Sequence, residues 1–182
     1  DEVRRSIETA ARLKPLKVVV HPSIVSGLAA MRPELVSAHS YKALAEVIQA
    51  CAETGLTPCL ENMFPSYRAF VSAEQFNEAF RSFPHLKLTL DTGHANIDSG
   101  GNNRATAFLA QHPTRLAHLH ISDNHGTRDD HLAVGAGNID FAAIISAIKR
   151  KGFDGTITLE IFSPRPLDLI ESRLEIERLW AL

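Results

Sequence analysis

The sequence predicts an α/β protein built on a parallel sheet. Two observations carry that expectation. Five short apolar runs of strand character alternate with segments of helical periodicity, a pattern met by parallel strands joined through crossover helices. The runs also end alike. Val-Val-Val-His21, Pro-Cys-Leu-Glu61, Leu-Thr-Leu-Asp91, His-Leu-His120 and Thr-Leu-Glu160 each close on a residue able to bind a metal.

The first predicted element is a helix with Val3, Ile7, Ala10 and Ala11 on one face. Lys17–His21 follows as a buried strand, stopped by Pro22 and Ser23. A looser segment through Pro33 leads into a helix with Leu44, Val47, Ile48 and Cys51 on one side, ended by Gly55. Thr57–Glu61 is the second strand. Ser72 and Gln75 form a capping box, with Val71 and Phe76 spaced as its hydrophobic staple, and that helix runs to about Ser82. Leu86–Asp91 is the third strand, and Arg104–Gln111 a short helix.

The fourth strand is Leu116–Ile121, where Leu116, His118 and His120 alternate with Ala117, Leu119 and Ile121. It passes into a loop rich in His and Asp and closes on Asp140 as a helix cap. Phe141, Ile144, Ile145 and Ile148 line the next helix. That helix stops at Lys149-Arg150-Lys151-Gly152, cations and then glycine, as the macrodipole and the C-cap favour. Thr156–Glu160 is the fifth strand, and a last helix runs from Pro166 to Trp180. No repeat or low-complexity tract interrupts the series.

Composition bounds the function. A chain of 182 residues can bury a real core, and one domain spanning 1–182 is expected. Hydrophobic content of 45% with 22% charged residues is that of an ordinary globular protein. A formal charge of -2 gives no basic footprint for nucleic acid. Cys51 and Cys59 do not make a disulfide framework, so a reducing cytoplasm is the expected compartment. No apolar run reaches membrane-spanning length, and the first residues do not read as a signal peptide.

In a parallel α/β sheet the strand ends lie on one face, where loops and active sites gather. Carboxylates and imidazoles converging there repel one another or stay poorly solvated unless a cation sits between them. A divalent metal is the simplest explanation. Mixed oxygen and nitrogen donors suit Mn²⁺, Co²⁺, Mg²⁺ or Zn²⁺. His118, one layer below His120, reads as a packed interior histidine. Asp129 and His131 stand evenly between metal binding and ordering of the loop. His125 and Arg128 read as solvent-facing, with contact to a phosphate as the alternative for either. Gly135 and Gly137 shape the entry to a helix, since Gly-x-Gly alone is a weak phosphate signal.

Five motifs carry a family resemblance. Glu61-Asn62, Leu90-Asp91-Thr92-Gly93-His94, His120-Ile121-Ser122-Asp123, Asp129-Asp130-His131 with the following Gly135-x-Gly137, and Leu159-Glu160 together resemble the xylose-isomerase-like TIM barrels. That superfamily joins sugar and sugar-phosphate isomerases and epimerases with endonuclease IV. The resemblance implies a (β/α)₈ barrel of which this chain carries about five C-terminal βα units, without the N-terminal strands. It makes Glu61, Asp91, His120 and Glu160 the metal set, with Glu61 and Glu160 as the acid/base pair and His94 contacting substrate. His21 is left as a substrate contact or a ligand of a second metal.

Two function classes follow. The first is a metal-dependent sugar or sugar-phosphate isomerase or epimerase working through an enediolate, with a small-molecule sugar as partner. The second is a zinc phosphodiesterase of the endonuclease IV kind, in which His94, Asp129 and His131 hold a third zinc. The net charge and the lack of a Lys/Arg stripe weigh against the second. An incomplete barrel would leave open strand edges, so association with another copy or with an absent N-terminal segment is also expected.

Overall fold

A computed structural model describes residues 2–22, 24 and 32–182. Ser23 and the looser segment before Arg32 therefore fall outside, or mostly outside, the described residues. The elements are α1 (Glu2–Arg12), β1 (Val18–Val20), α2 (Pro33–Thr54), β2 (Pro58–Glu61), α3 (Ala73–Ser82), β3 (Lys87–Asp91), α4 (Thr92–Asn96), α5 (Ala105–Gln111), β4 (Leu116–Ile121), α6 (Phe141–Arg150), β5 (Thr156–Leu159) and α7 (Pro166–Ala181).

All five strands pair in parallel in the order β1-β2-β3-β4-β5. The sheet curls as part of a barrel. Its outer face carries Leu60, Leu88, Leu90, Leu119 and Ile121, all buried against Phe76 and Phe80 of α3, Phe108 of α5 and Ile144 and Ile148 of α6. The inner face carries Glu61, Thr89, Asp91, His118, His120, Thr156 and Thr158, with Val19 and Cys59 among them. Curvature brings the two edge strands close enough for Lys17 Nζ to donate to Thr156 Oγ1 at 3.2 Å. His118 bonds Thr156 Oγ1 (2.6 Å) and Thr158 Oγ1 (3.2 Å), the packed interior role expected of it.

One irregularity decides which residues reach the site. Leu88 pairs with Leu116, but Thr89 pairs with His118 and Asp91 with His120, a one-residue shift at Leu88/Thr89. Side chains alternate faces along a strand, so without the shift Asp91 would sit opposite Leu119 and His120 would point outward.

Local chemistry accounts for most boundaries. Gln75 Oε1 accepts from Ser72 N (3.2 Å), the expected capping box. Gly55 ends α2 in the left-handed region at φ 72°. Asp140 accepts from Ala143 N (2.9 Å) and caps α6. Cys51 and Cys59 are both free and buried. The strands are shorter than predicted at several ends, and among the described residues two elements were not predicted: α4 and a 3₁₀ turn at Pro65–Tyr67. No helix of the described residues is long and apolar enough to cross a membrane.

Candidate metal centre

At the mouth of the barrel one atom from each of Glu61, Asp91, His120 and Glu160 lies within 4.8 Å of the other three. β2, β3 and β4 supply the first three, all buried, and the chain just past β5 supplies Glu160, which is half-buried. His120 Nδ1 is the hub, 3.0 Å from Glu61 Oε1, 3.2 Å from Glu160 Oε1 and 3.8 Å from Asp91 Oδ2.

Asp91 is held on three sides. Its backbone N–H donates to Asn62 Oδ1 (2.7 Å), its carbonyl accepts from Asn62 Nδ2 (3.0 Å), and its Oδ1 accepts from His94 N (2.6 Å), starting α4. Asp91 Oδ2 has no hydrogen-bond partner although it is fully buried. Such an orphan costs about 1–3 kcal/mol, more for a charged group, and it faces the point where the other ligands converge. A divalent cation fits this donor set of three carboxylates and one imidazole. Protons show the same demand for positive charge. Burial, with the charge of Glu61, pushes the Asp91 carboxyl up to about 6. Burial opposes charge on His120, but the hydrogen bond and charge of Glu61, with Glu160 and Asp91, hold it above the ordinary histidine value.

A second cluster forms the rim. His94 Nε2 lies 3.3 Å and His131 Nε2 3.2 Å from Asp129 Oδ2. The other ring nitrogens meet carbonyl oxygens, which only accept, so Nδ1 carries the proton in both: His94 to Asn62 O (2.9 Å), His131 to Glu160 O (2.8 Å). For His94, burial is outweighed by Asp129, Asp91 and Glu61, and it titrates near 9. His131, bonded to Asp129, also titrates near 9. Asp129 is pushed well below the ordinary carboxylate range, because the two histidines outweigh its burial. The two clusters meet at His94, whose Nδ1 is 3.6 Å from Glu61 Oε1.

His21 is exposed and packs its ring edge-on against Tyr67 (5.6 Å) and His94 (6.1 Å), outside the four-ligand group. Phe64 completes this wall, 4.9 Å from Tyr67 and 5.2 Å from His94. Across the mouth, Phe162 is 76% exposed and stacks on His131 at 4.2 Å. These rings were not read from the sequence. Phe162 carried a signal, since it stands two residues past Glu160 and so on the same face. Tyr67 and Phe64 carried none, being placed by the 3₁₀ turn. His125 and Arg128 are both exposed or partly so at the loop tip, and Arg128 is forked onto Asp130 (3.1 and 2.8 Å).

Comparison with known proteins places this geometry in a family. The model of the xylose isomerase-like TIM barrel matches residues 1–179. The uncharacterized protein MJ1311 of Methanocaldococcus jannaschii is 31% identical over 162 residues, covering 87% of this chain and 55% of that protein. An L-ribulose 3-epimerase of Methylomonas sp. is 38% identical over 85 residues, 47% of this chain and 27% of that enzyme. The crystal structure of a D-tagatose 3-epimerase-like protein superposes with a TM-score of 0.84 at 28% identity, over 98% of this chain and 67% of the other. The chain thus spans about half the length of MJ1311 and a smaller share of the epimerase. Strand order, strand-end residues and match agree: the chain belongs to the xylose isomerase-like TIM barrel family.

Proposed function

We propose that this chain carries the catalytic centre of a divalent-metal-dependent sugar epimerase or isomerase, with a ketose as substrate. The carrying observation is the convergence of Glu61, Asp91, His120 and Glu160 around a buried Asp91 oxygen that no protein donor meets. These four residues would hold Mn²⁺, Co²⁺, Mg²⁺ or Zn²⁺, and the bound ion supplies Lewis-acid polarisation of the sugar carbonyl.

The chain's own residues move the protons. Glu160 takes the proton from the carbon beside the carbonyl, and the C–H electron pair passes into the enediolate. Glu61, the other carboxylate within reach of His120 Nδ1, returns a proton to the other face, which inverts that carbon. If one carboxylate instead carries the proton to the neighbouring carbon, the outcome is aldose–ketose isomerisation. His94 presents Nε2 beside Asp129 to a substrate hydroxyl, and the walls of His21, Tyr67 and Phe64 on one side and Phe162 on the other exclude water from the sugar's apolar edge. Arg128 already has its fork on Asp130, which supports an unphosphorylated sugar.

A nuclease of the endonuclease IV kind would hold a third zinc on His94, Asp129 and His131, which do come together. It is not favoured, because the relatives named with an activity are sugar epimerases and the formal charge is -2. We keep these residues, with His21, as substrate contacts or ligands of a second ion. The open edge of β5, with Ile157 exposed on it and Leu167, Ile170 and Leu174 exposed along α7, supports association with a second copy or with further barrel strands.

The test is direct. Full-length protein with Mn²⁺ and a panel of ketoses in D₂O should yield an epimer or aldose with deuterium at the carbon beside the carbonyl. Absence of exchange with every ketose, from protein that binds Mn²⁺, would overturn the proposal.

A further inference from the structure

Asp123 is fully buried, ionisable and unused by the chemistry above. Its carboxylate meets four backbone N–H groups. Oδ1 accepts from Asn124 (2.9 Å) and Ile139 (3.2 Å), and Oδ2 from Gly135 (3.0 Å) and Gly137 (2.9 Å). Its own backbone pairs in both directions with Leu132 at 2.9 Å. An isolated buried carboxylate is costly, and converging amide donors of this kind are what compensate it. The donors come from both ends of the loop 124–139, so the carboxylate closes that loop into a ring. The Gly-x-Gly amides that could have cradled a phosphate are turned onto an anion inside the protein.

The glycines are there for this contact. Gly135 has φ +87°, and a Cβ on Gly137 would fall on Asp123 Oδ1 and Asn124 O. Two further ties fix the ring to the site. Asn124 Nδ2 donates to Gly93 O (2.9 Å), and Asn96 Nδ2 donates to Asn124 Oδ1 (2.9 Å) and Asn138 Oδ1 (2.7 Å). The ring carries Asp129 and His131, and His131 in turn touches the Glu160 carbonyl.

We infer that Asp123 is a positioning residue: an internal anion in a four-amide nest that presets Asp129 and His131 before substrate arrives. Its consequence for turnover rests on the ketose reading above; its consequence for the loop does not. Asp123→Asn replaces one acceptor oxygen with an amide that opposes two N–H donors. Gly137→Ala displaces the same carboxylate from outside. Amide hydrogen exchange across 124–139 should rise about tenfold or more in both variants, because local opening is easier. The ketose KM should rise about tenfold with kcat changed less than about threefold, the signature of lost binding without lost chemistry. Mn²⁺ affinity at the four-ligand site of Glu61, Asp91, His120 and Glu160 should stay within about threefold of the parent, since the ring lies outside those ligands.

A double-mutant cycle separates positioning from general loosening. The effect of Asp123→Asn on KM should largely vanish in a His131→Ala background, because the two act through one path. Parental exchange and KM in both single variants would overturn the inference. So would full additivity with His131→Ala, or a loss of Mn²⁺ binding at the four-ligand site in Asp123→Asn. If the parent turns over no ketose, the functional reading fails by itself. Hydrogen exchange then decides Asp123, and an unchanged loop overturns its role.

Discussion

The central and edge strands of the sheet end in the same kinds of residue but hold them differently. On β2, β3 and β4, Glu61, Asp91 and His120 are 2%, 0% and 6% exposed. Asn62 clamps Asp91 from both sides, and Asp91 itself begins α4. At the edges the ties are fewer. The Glu160 side chain is 28% exposed, its residue held by backbone bonds to Ile121 O (2.9 Å) and from His131 Nδ1, and His21 is exposed. The contrast is one of anchorage. The three central residues are buried and tied, whereas Glu160 keeps part of its side chain open to solvent and has room to move. Under the proposed mechanism the more mobile Glu160 works as the base against a fixed partner, Glu61.

The largest effect should come from breaking the centre. Asp91→Ala or His120→Ala should abolish saturable Mn²⁺ binding in a calorimetric titration of metal-stripped protein. Unchanged affinity in both would mean that Asp91 and His120 hold no ion. Glu160→Gln at the edge should act on chemistry, lowering deuterium exchange at the substrate carbon by about 10²–10⁴-fold. It should weaken Mn²⁺ binding less than the two central variants do. If exchange stays near the parental rate, the base is elsewhere, and Glu61→Gln becomes the variant to measure.

The same contrast should appear in stability. Leu119 of β4 is fully buried under the helices, and Leu119→Ala should cost about 2–5 kcal/mol by urea unfolding. Ile157 of β5 is 36% exposed, and Ile157→Ala should cost about 1 kcal/mol or less. Equal costs would mean that the edge is as firmly packed as the centre.

What the sequence revealed follows the same division. The strand-end residues were legible because alternation and strand stops require only local pattern. Ser72 with Gln75 and Asp140 were legible as caps because their partners lie within three residues. The shift at Leu88/Thr89 was not legible, yet it sets the face on which His120 appears. α4 was hidden by its length of five residues and its Gly93, and it forms because Asp91 caps it. The Asp123 nest was hidden because Gly135 and Gly137 lie 12 and 14 residues away and only the folded loop brings them back. Pattern reports which way a side chain faces along its strand. It does not report how strands slide past one another or which amides a loop returns to a carboxylate.

The smallest expected effect lies between the two regions, at the rim, and it depends on pH. Asp129 and His131 are partly exposed, with side chains at 24% and 14%, so their pairing should contribute about 1 kcal/mol or less. His131 titrates near 9 in the folded chain, against about 6.5 when unfolded. Its contribution is therefore complete below about pH 6.5 and is lost as pH rises toward 9. Asp129 is shifted the other way, so its contribution is present above about pH 4 and lost only as pH falls below that. The pairing is complete from about pH 4 to 6.5 and fades on the alkaline side. In chelator, urea unfolding at pH 6 and pH 9 should show the parent losing more stability than His131→Ala. Groups common to both proteins cancel in that difference. Equal losses would show that Asp129 does not raise the proton affinity of His131, and the rim would then be joined to the edge strand by the hydrogen bond from His131 to the Glu160 carbonyl alone.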